Sequence, residues 1–143
     1  MLVHGTCVAL AGAGVLFRGP SGSGKSDLAL RLIDGGAILV ADDQTRLAVE
    51  GGRLSAHAPE PIAGRLEVRG LGIVPVASVG AAPLCLVVDL VDADAIERLP
   101  DPARATFLGH AVPMVFLWAF AASAAAQVRL AVRVHCRDII APS

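Results

Sequence analysis

Gly19-Pro20-Ser21-Gly22-Ser23-Gly24-Lys25-Ser26 fits the pattern Gly-x-x-x-x-Gly-Lys-Ser, and it lies between an apolar run, Val15-Leu16-Phe17, and a segment of helical periodicity, Asp27 to Ile33. A loop of this kind turns successive backbone N–H groups inward to cradle phosphate oxygens at the start of a helix, so its residues carry little or no side chain. Strand before and helix after are the context that the motif requires. A Gly/Ser-rich turn that merely precedes a helix is the plainer reading, and it does not account for both flanks. Lys25 is the only lysine among 143 residues, against eleven arginines. Its compact ammonium suits the β- and γ-phosphates of a nucleotide, where a planar guanidinium would bind as a fixed fork, and the Ser26 hydroxyl suits Mg²⁺.

The length predicts one domain over residues 1–143, long enough to bury an ordinary core. Hydrophobic residues make up 55% of the chain with no tyrosine, which points to an α/β domain packed with small aliphatic side chains. A net charge of -1 gives no electrostatic ground for a nucleic-acid partner. Cys7, Cys85 and Cys136 are odd in number and widely spaced, so the expectation is three buried, reduced thiols and no zinc site. No basic, apolar leader precedes the first strand, and none is expected. From Ala105 to Val128 there is no charged residue, but Gly109, His110, Pro113 and Gln127 interrupt the run. It reads as a strand around Val112 to Trp118 and an alanine-rich helix from Ala121 to His135, with Arg129, Arg133 and Arg137 on its solvated face, and not as a membrane span.

The remaining elements follow from apolar periodicity and turn residues. Val3 to Ala9 and Ala13 to Phe17 read as strands about Ala11-Gly12, and the helix after the loop stops at Gly35-Gly36. Ile38 to Ala41 reads as a buried strand, and Arg46 to Val49 with Leu54 to Ala58 as a hairpin about Gly51-Gly52. Pro59, Pro61 and Gly64 make a loop, Leu66 to Ile73 a strand with a Gly-rich turn, Leu84 to Val91 a further buried strand, and Arg98 to Pro102 a loop.

Asp42-Asp43 ends the strand that follows the helix. In open α/β sheets ligands bind beyond the carboxyl ends of the strands, so both aspartates are expected to face the crevice that holds Lys25. One carboxylate can take a substrate proton while the other serves metal or structure. Without the phosphate loop, Asp-Asp at a strand end would read as a solvated turn. Taken alone, His4 reads as a structural or surface residue. Glu67 lies between Leu66 and Val68, where a carboxylate either ligates a cation or pairs with an arginine, and Arg69 is the available partner.

Together, His4-Gly5, the loop from Gly19 to Ser26, Val40-Ala41-Asp42-Asp43 and Glu67-Val68-Arg69-Gly70-Leu71-Gly72-Ile73 resemble the HPr kinase/phosphorylase family in its catalytic domain. The last segment is the distinctive one, and the resemblance spans nearly the whole chain. It implies an α/β fold, a single P-loop-containing domain of the HPr kinase/PEP carboxykinase-like type, and a serine kinase, in either direction, that uses ATP and Mg²⁺. The acceptor would be an HPr-like phosphocarrier protein of the bacterial sugar phosphotransferase system. By the same resemblance His4 assists the catalytic aspartate, Lys25 neutralises donor phosphates, and Ser26 and Glu67 hold Mg²⁺. Asp43 is the general base with Asp42 as support, and Arg98, in Ile96-Glu97-Arg98-Leu99, stabilises charge on the transferring phosphoryl group. The resemblance further implies a cytoplasmic homo-oligomer, a hexamer, with neither membrane nor nucleic acid as partner.

Two departures bear on function. The chain resembles a short form without the N-terminal domain of long members. The Pro/Arg/Gly-rich loop tied to the reverse reaction is expected near Trp118 to Ala126, where this chain has Trp-Ala-Phe-Ala-Ala-Ser-Ala-Ala-Ala, so phosphorolysis loses its expected donors. A small-molecule kinase of the same loop architecture, or a nucleotide-binding regulatory module without transfer activity, are the alternative readings.

Overall fold

A computed structural model describes residues 1–60 and 62–137, so that Pro61, expected in a loop with Pro59 and Gly64, lies outside the described residues. Its strands are β1 (Leu2–His4), β2 (Thr6–Leu10), β3 (Ala13–Arg18), β4 (Ile38–Ala41), β5 (Gln44–Glu50), β6 (Arg53–His57), β7 (Arg65–Val68), β8 (Gly72–Pro75), β9 (Ala81–Leu90), β10 (Ala103–Phe107) and β11 (His110–Leu117). Helix α1 (Lys25–Asp34) follows the phosphate loop, and α2 (Ala124–His135) closes the described chain.

The ten-residue strand β9 organises the sheet. Its first residues pair antiparallel with β6, and its remainder runs parallel between β3 and β11. The result is a sheet ordered β1-β5-β6-β9-β3-β2-β4, with β11 and β10 branching from the carboxyl half of β9. Because β9 belongs to both halves, the sheet curls, and β5 and β6 fold across one face of the strands that carry the phosphate loop.

Side-chain alternation divides the core accordingly. Val15 and Phe17 of β3, with Leu86, Val88 and Leu90 of β9, meet Leu28, Ala29 and Leu32 of α1 and Val128 and Val132 of α2. Leu16 and Val87 point to the other face and meet Leu47 of β5 with Leu54 and Ala56 of β6. Both faces of β3 and β9 are thus covered, which is why they read as continuous apolar runs. Truncating a fully buried aromatic such as Phe17 would cost about 3 to 5 kcal/mol.

Helix α1 ends as Gly35-Gly36 predicts. Gly36 has φ 109°, its N–H bonds Ile33 O at 3.0 Å, and the Ala37 N–H bonds Leu32 O at 3.0 Å, the two bonds of a Schellman stop.

Four expectations need correction. Val3 to Ala9 is not one strand: it breaks at Gly5 into β1, which pairs with β5, and β2, which pairs with β3 and β4. Within the uncharged stretch there are two strands, not one: β10 and β11 form a hairpin about Leu108-Gly109, both at positive φ. Helix α2 begins at Ala124, three residues later than predicted, because Trp118 to Ser123 forms a turn. Cys85 and Cys136 are bonded as a disulfide, and only Cys7 is a free thiol. The pairing arises because β9 and the end of α2, 51 residues apart in sequence, meet in the core, which cysteine spacing cannot reveal. Among the described residues no helix is long and apolar enough to cross a membrane.

Candidate active site

The carboxyl ends of β3, β9 and β11 lie side by side, and the phosphate loop leaves β3 at that edge. Within the loop the Ser23 N–H bonds Pro20 O at 3.0 Å, and Gly24 takes φ 97° as the residue that caps α1. A side chain is excluded at Gly24 twice over. Its backbone is left-handed, and an added Cβ would lie 2.7 Å from the Ala119 Cβ and 3.1 Å from the Phe120 ring. No side chain caps α1, so the N–H groups at its start have no competing side-chain acceptor, as an anion cradle requires. Ser23 Oγ is buried there without a hydrogen-bond partner. Lys25 Nζ donates to Gly19 O at 2.7 Å and Pro20 O at 3.2 Å, folding its ammonium back over the loop.

Asp42 is the hub of the site. It is buried, and its Oδ1 accepts from Ser26 Oγ at 2.7 Å and from Thr6 Oγ1 at 3.0 Å, while Oδ2 accepts from the Glu67 amide at 2.9 Å. One carboxylate therefore ties α1, β2 and β7 to the end of β4. Asp43 differs sharply from it. It is exposed, at φ 65°, with its N–H on Thr6 Oγ1 at 3.2 Å and its carbonyl accepting from the Gly5 N–H at 2.8 Å. Asp42 is thus turned inward onto Ser26 and Thr6 while Asp43, at its left-handed turn, is open to solvent.

The other predicted residues occupy varied places. His4 ends β1, exposed, in register with Gln44, and so sits one residue from Asp43 along the paired strand. The Glu67 amide is on Asp42, while its carboxylate is exposed and forms no ion pair with Arg69; among the described residues the ion pairs are Arg18–Asp89, Arg31–Asp27 and His57–Glu50. Arg98 is exposed in the loop that follows β9, with no ion pair among those three. Ser26, Asp42 and the backbone of Glu67 are thus brought together, and Arg98 is not joined to them.

Two residues that sequence reasoning missed shape the site. Thr6 is fully buried and bridges both aspartates; a hydroxyl at the head of the apolar run Cys7-Val8-Ala9 is the signal that could have found it. Arg31, in the second turn of α1, pairs with Asp27 at 3.0 Å and donates from its guanidinium to the carbonyls of Ala119 and Ala121. It pins the Trp118 to Ser123 turn against the phosphate loop. Two open cavities lie at the opposite edge of the sheet, lined by residues such as Ala11, Gly36 and Arg129, and share no residue with this site.

Residues 1–118 match the family described as the HPr serine kinase C-terminal domain. The HPr kinase/phosphorylase of Bordetella pertussis is 42% identical over 109 residues, which cover 68% of this chain and 35% of that protein. That of Brevibacillus brevis is 48% identical over 73 residues, covering 50% and 24% respectively. The chain thus spans about a third or less of the length of these curated relatives. The solved structure of the Hpr(Ser) kinase/phosphatase from Coxiella burnetii superposes with a TM-score of 0.87 at 27% identity, covering 96% of this chain and 92% of that one.

Proposed function

The chain belongs to the HPr serine kinase C-terminal domain family, and on that premise we propose that it transfers the γ-phosphoryl group of ATP to a serine of a small HPr-like phosphocarrier protein. Residues 1–143 act in this reading as one kinase catalytic domain. The observation that carries it is the Ser26–Asp42 hydrogen bond at 2.7 Å, at the mouth of the anion cradle and beside the exposed carboxylate of Asp43.

The residues divide the labour. Backbone N–H groups from Gly22 to Ser26 hold the β-phosphate, and Lys25 exchanges the carbonyls of Gly19 and Pro20 for β- and γ-phosphate oxygens. Asp43 takes the proton of the acceptor serine as its Oγ bonds to the γ-phosphorus and the bond to the β,γ-bridging oxygen breaks, releasing ADP. His4 supports Asp43 from the paired strand, and Arg98 swings in from its exposed loop to neutralise charge on the transferring group.

The donor set fits Mg²⁺. This ion binds through one or two carboxylates plus substrate phosphates and keeps several waters, so it needs no cluster of three acidic, histidine or cysteine side chains, and none is present among the described residues. Ser26 and Glu67 would hold it, with Asp42 between them. When bound, Mg²⁺ supplies positive charge to the β- and γ-phosphate oxygens.

The proposed setting is cytoplasmic, in a homo-oligomer, with neither nucleic acid nor membrane as partner. A reducing cytoplasm would keep Cys85 and Cys136 as thiols, so the state of that pair in protein taken from cells tests the location.

The deciding experiment incubates the protein with γ-labelled ATP, Mg²⁺ and purified HPr-like proteins. Serine-linked label is expected with the wild type and not with Lys25→Ala. ATP binding without label on any acceptor would instead favour a regulatory module.

A further inference from the structure

The chain has five aromatic residues, one tryptophan and four phenylalanines, and their placement is uneven. Phe17 and Phe107 are buried, whereas Phe116 near the end of β11 is 43% exposed, and Trp118 and Phe120, in the turn between β11 and α2, are 39% and 55% exposed. Burial normally removes rings of this size from water, so two exposed ones together in one turn call for an occupant. Their rings are 6.4 Å apart between centroids at 74°, an edge-to-face pair that forms an open notch.

Three observations put this notch in the nucleotide's path. The Phe120 ring packs directly against Gly24 of the phosphate loop, as the 3.1 Å approach to an added Cβ shows. Strand β11 runs parallel to β9, which runs parallel to β3, and the Val91 N–H bonds Leu117 O at 2.9 Å, so Trp118 emerges at the same carboxyl edge as the loop. The turn is also held rigidly: Arg31 donates to the carbonyls of Ala119 and Ala121 while Asp27 holds its guanidinium, and Ala119 is fully buried. A rigid aromatic notch beside an anion cradle suits a ligand with a flat π-face at one end and phosphates at the other.

We propose that Trp118 and Phe120 form the platform on which the purine base of a nucleoside triphosphate stacks, with its phosphates in the Gly22 to Ser26 cradle. The inference rests on the ATP-binding part of the proposed function and extends it to the base. Stacking is tolerant of base identity because every base has a π-face, so the notch selects a nucleotide over bare polyphosphate more than adenine over guanine. Arg31 acts as a positioning residue, fixing the turn without touching the ligand.

The test compares ATP with inorganic tripolyphosphate, which has the phosphates and no base, by calorimetry with Mg²⁺ on the wild type, Trp118→Leu and Phe120→Leu. Leucine keeps bulk over Gly24 and removes the π-face; circular dichroism establishes that each variant folds. The expected result is an affinity for ATP roughly tenfold weaker in each variant, with tripolyphosphate changed less than about twofold. As Trp118 is the only tryptophan, its fluorescence should respond to ATP and not to tripolyphosphate. Equal losses for both ligands would mean that the rings only shape the loop, and unchanged affinity for both would mean that the base lies elsewhere; either overturns the proposal. A selective loss for ATP in a protein that transfers no phosphoryl group would sustain the platform and sink the kinase reading. A wild type that binds neither ligand would overturn both.

Discussion

Ser26 Oγ donates to Asp42 Oδ1 at 2.7 Å, joining the last residue of the phosphate loop to the first member of the acidic pair across 16 positions of sequence. The same carboxylate takes the Thr6 hydroxyl and the Glu67 amide, and it is buried. Removing it would strand three donors. Asp42→Ala is therefore expected to cost about 3 kcal/mol, read from the urea midpoint of unfolding, whereas Asp43→Asn at an exposed left-handed position that asparagine also tolerates should stay within about 0.5 kcal/mol. Equal losses would mean that Asp42 is not the hub.

Catalysis should rank the pair the other way. If Asp43 is the base, Asp43→Asn keeps nucleotide affinity near wild type while the transfer rate falls roughly 10²-fold or more. Asp42→Asn would disturb affinity and stability together, because its partners belong to the loop and the core. Full activity of Asp43→Asn beside loss in Asp42→Asn would reverse the assignment.

Two glycines separate backbone strain from crowding. Gly24 and Gly36 have φ of 97° and 109°, so alanine is strained alike at both, by about 1 to 2 kcal/mol. Space differs between them: an added Cβ meets nothing within 4 Å at Gly36, but lies 2.7 Å from the Ala119 Cβ at Gly24. Gly36→Ala should lower the melting temperature and leave ATP affinity intact. Gly24→Ala should lower both, since the Trp118 to Ser123 turn must move; unchanged ATP affinity in Gly24→Ala would show that the turn and the loop are independent.

Burial pushes the Cys7 thiol from 9.0 up to about 12, against a smaller lowering by the backbone of Val15. The unfolded thiol ionises near 9 and the folded one does not, so protons are lost from the unfolded state first and stability falls as pH rises between those values. Cys7→Ala should flatten that part of the stability–pH curve. In protein oxidised after purification, so that Cys85 and Cys136 pair as in the structure, Cys7 should also be the single thiol that reacts with iodoacetamide, and only after unfolding. Three thiols in that oxidised, unfolded protein would break the assignment of the pair.

What was legible in the chain was local. The loop from Gly19 to Ser26, the Gly35-Gly36 stop, the strand Ile38 to Ala41 and the hairpin about Gly51-Gly52 each carry their own turn chemistry or periodicity, and each formed as read. What was not legible depended on contacts between distant segments. Strand β10 escaped because Leu108-Gly109 is a weak turn signal within an uncharged run. Arg31 read as one more polar position on a helix, yet its partners at Ala119 and Ala121 are about 90 residues away. The left-handed backbone of Asp43 is likewise imposed by the bonds of Gly5 and Thr6 from another strand, and no neighbour in sequence announces it.

The same turn bears on the direction of catalysis. Phosphorolysis needs inorganic phosphate bound beside the phosphoserine, its oxygen attacking phosphorus as the serine Oγ leaves with a proton and pyrophosphate is released. Residues 119–126 carry no cationic side chain, and the one guanidinium shown bonded to them, Arg31, is already engaged by the carbonyls of Ala119 and Ala121 and by Asp27. Backbone amides at the start of α2 remain as donors, but Gln127 and Ala124 already spend theirs on Ser123 O and Ala121 O. In the proposed mechanism the forward reaction depends instead on Lys25, the loop amides and Arg98. Initial rates of serine phosphorylation from ATP should therefore exceed pyrophosphate release from phosphorylated acceptor and phosphate, at matched enzyme. Adding a cation should narrow the gap: Ala122→Arg, at an exposed position of the turn, is expected to raise the reverse rate more than the forward one. A wild-type reverse rate at or above the forward rate would mean that the attacking phosphate is held by other groups, with Arg98 the first to examine.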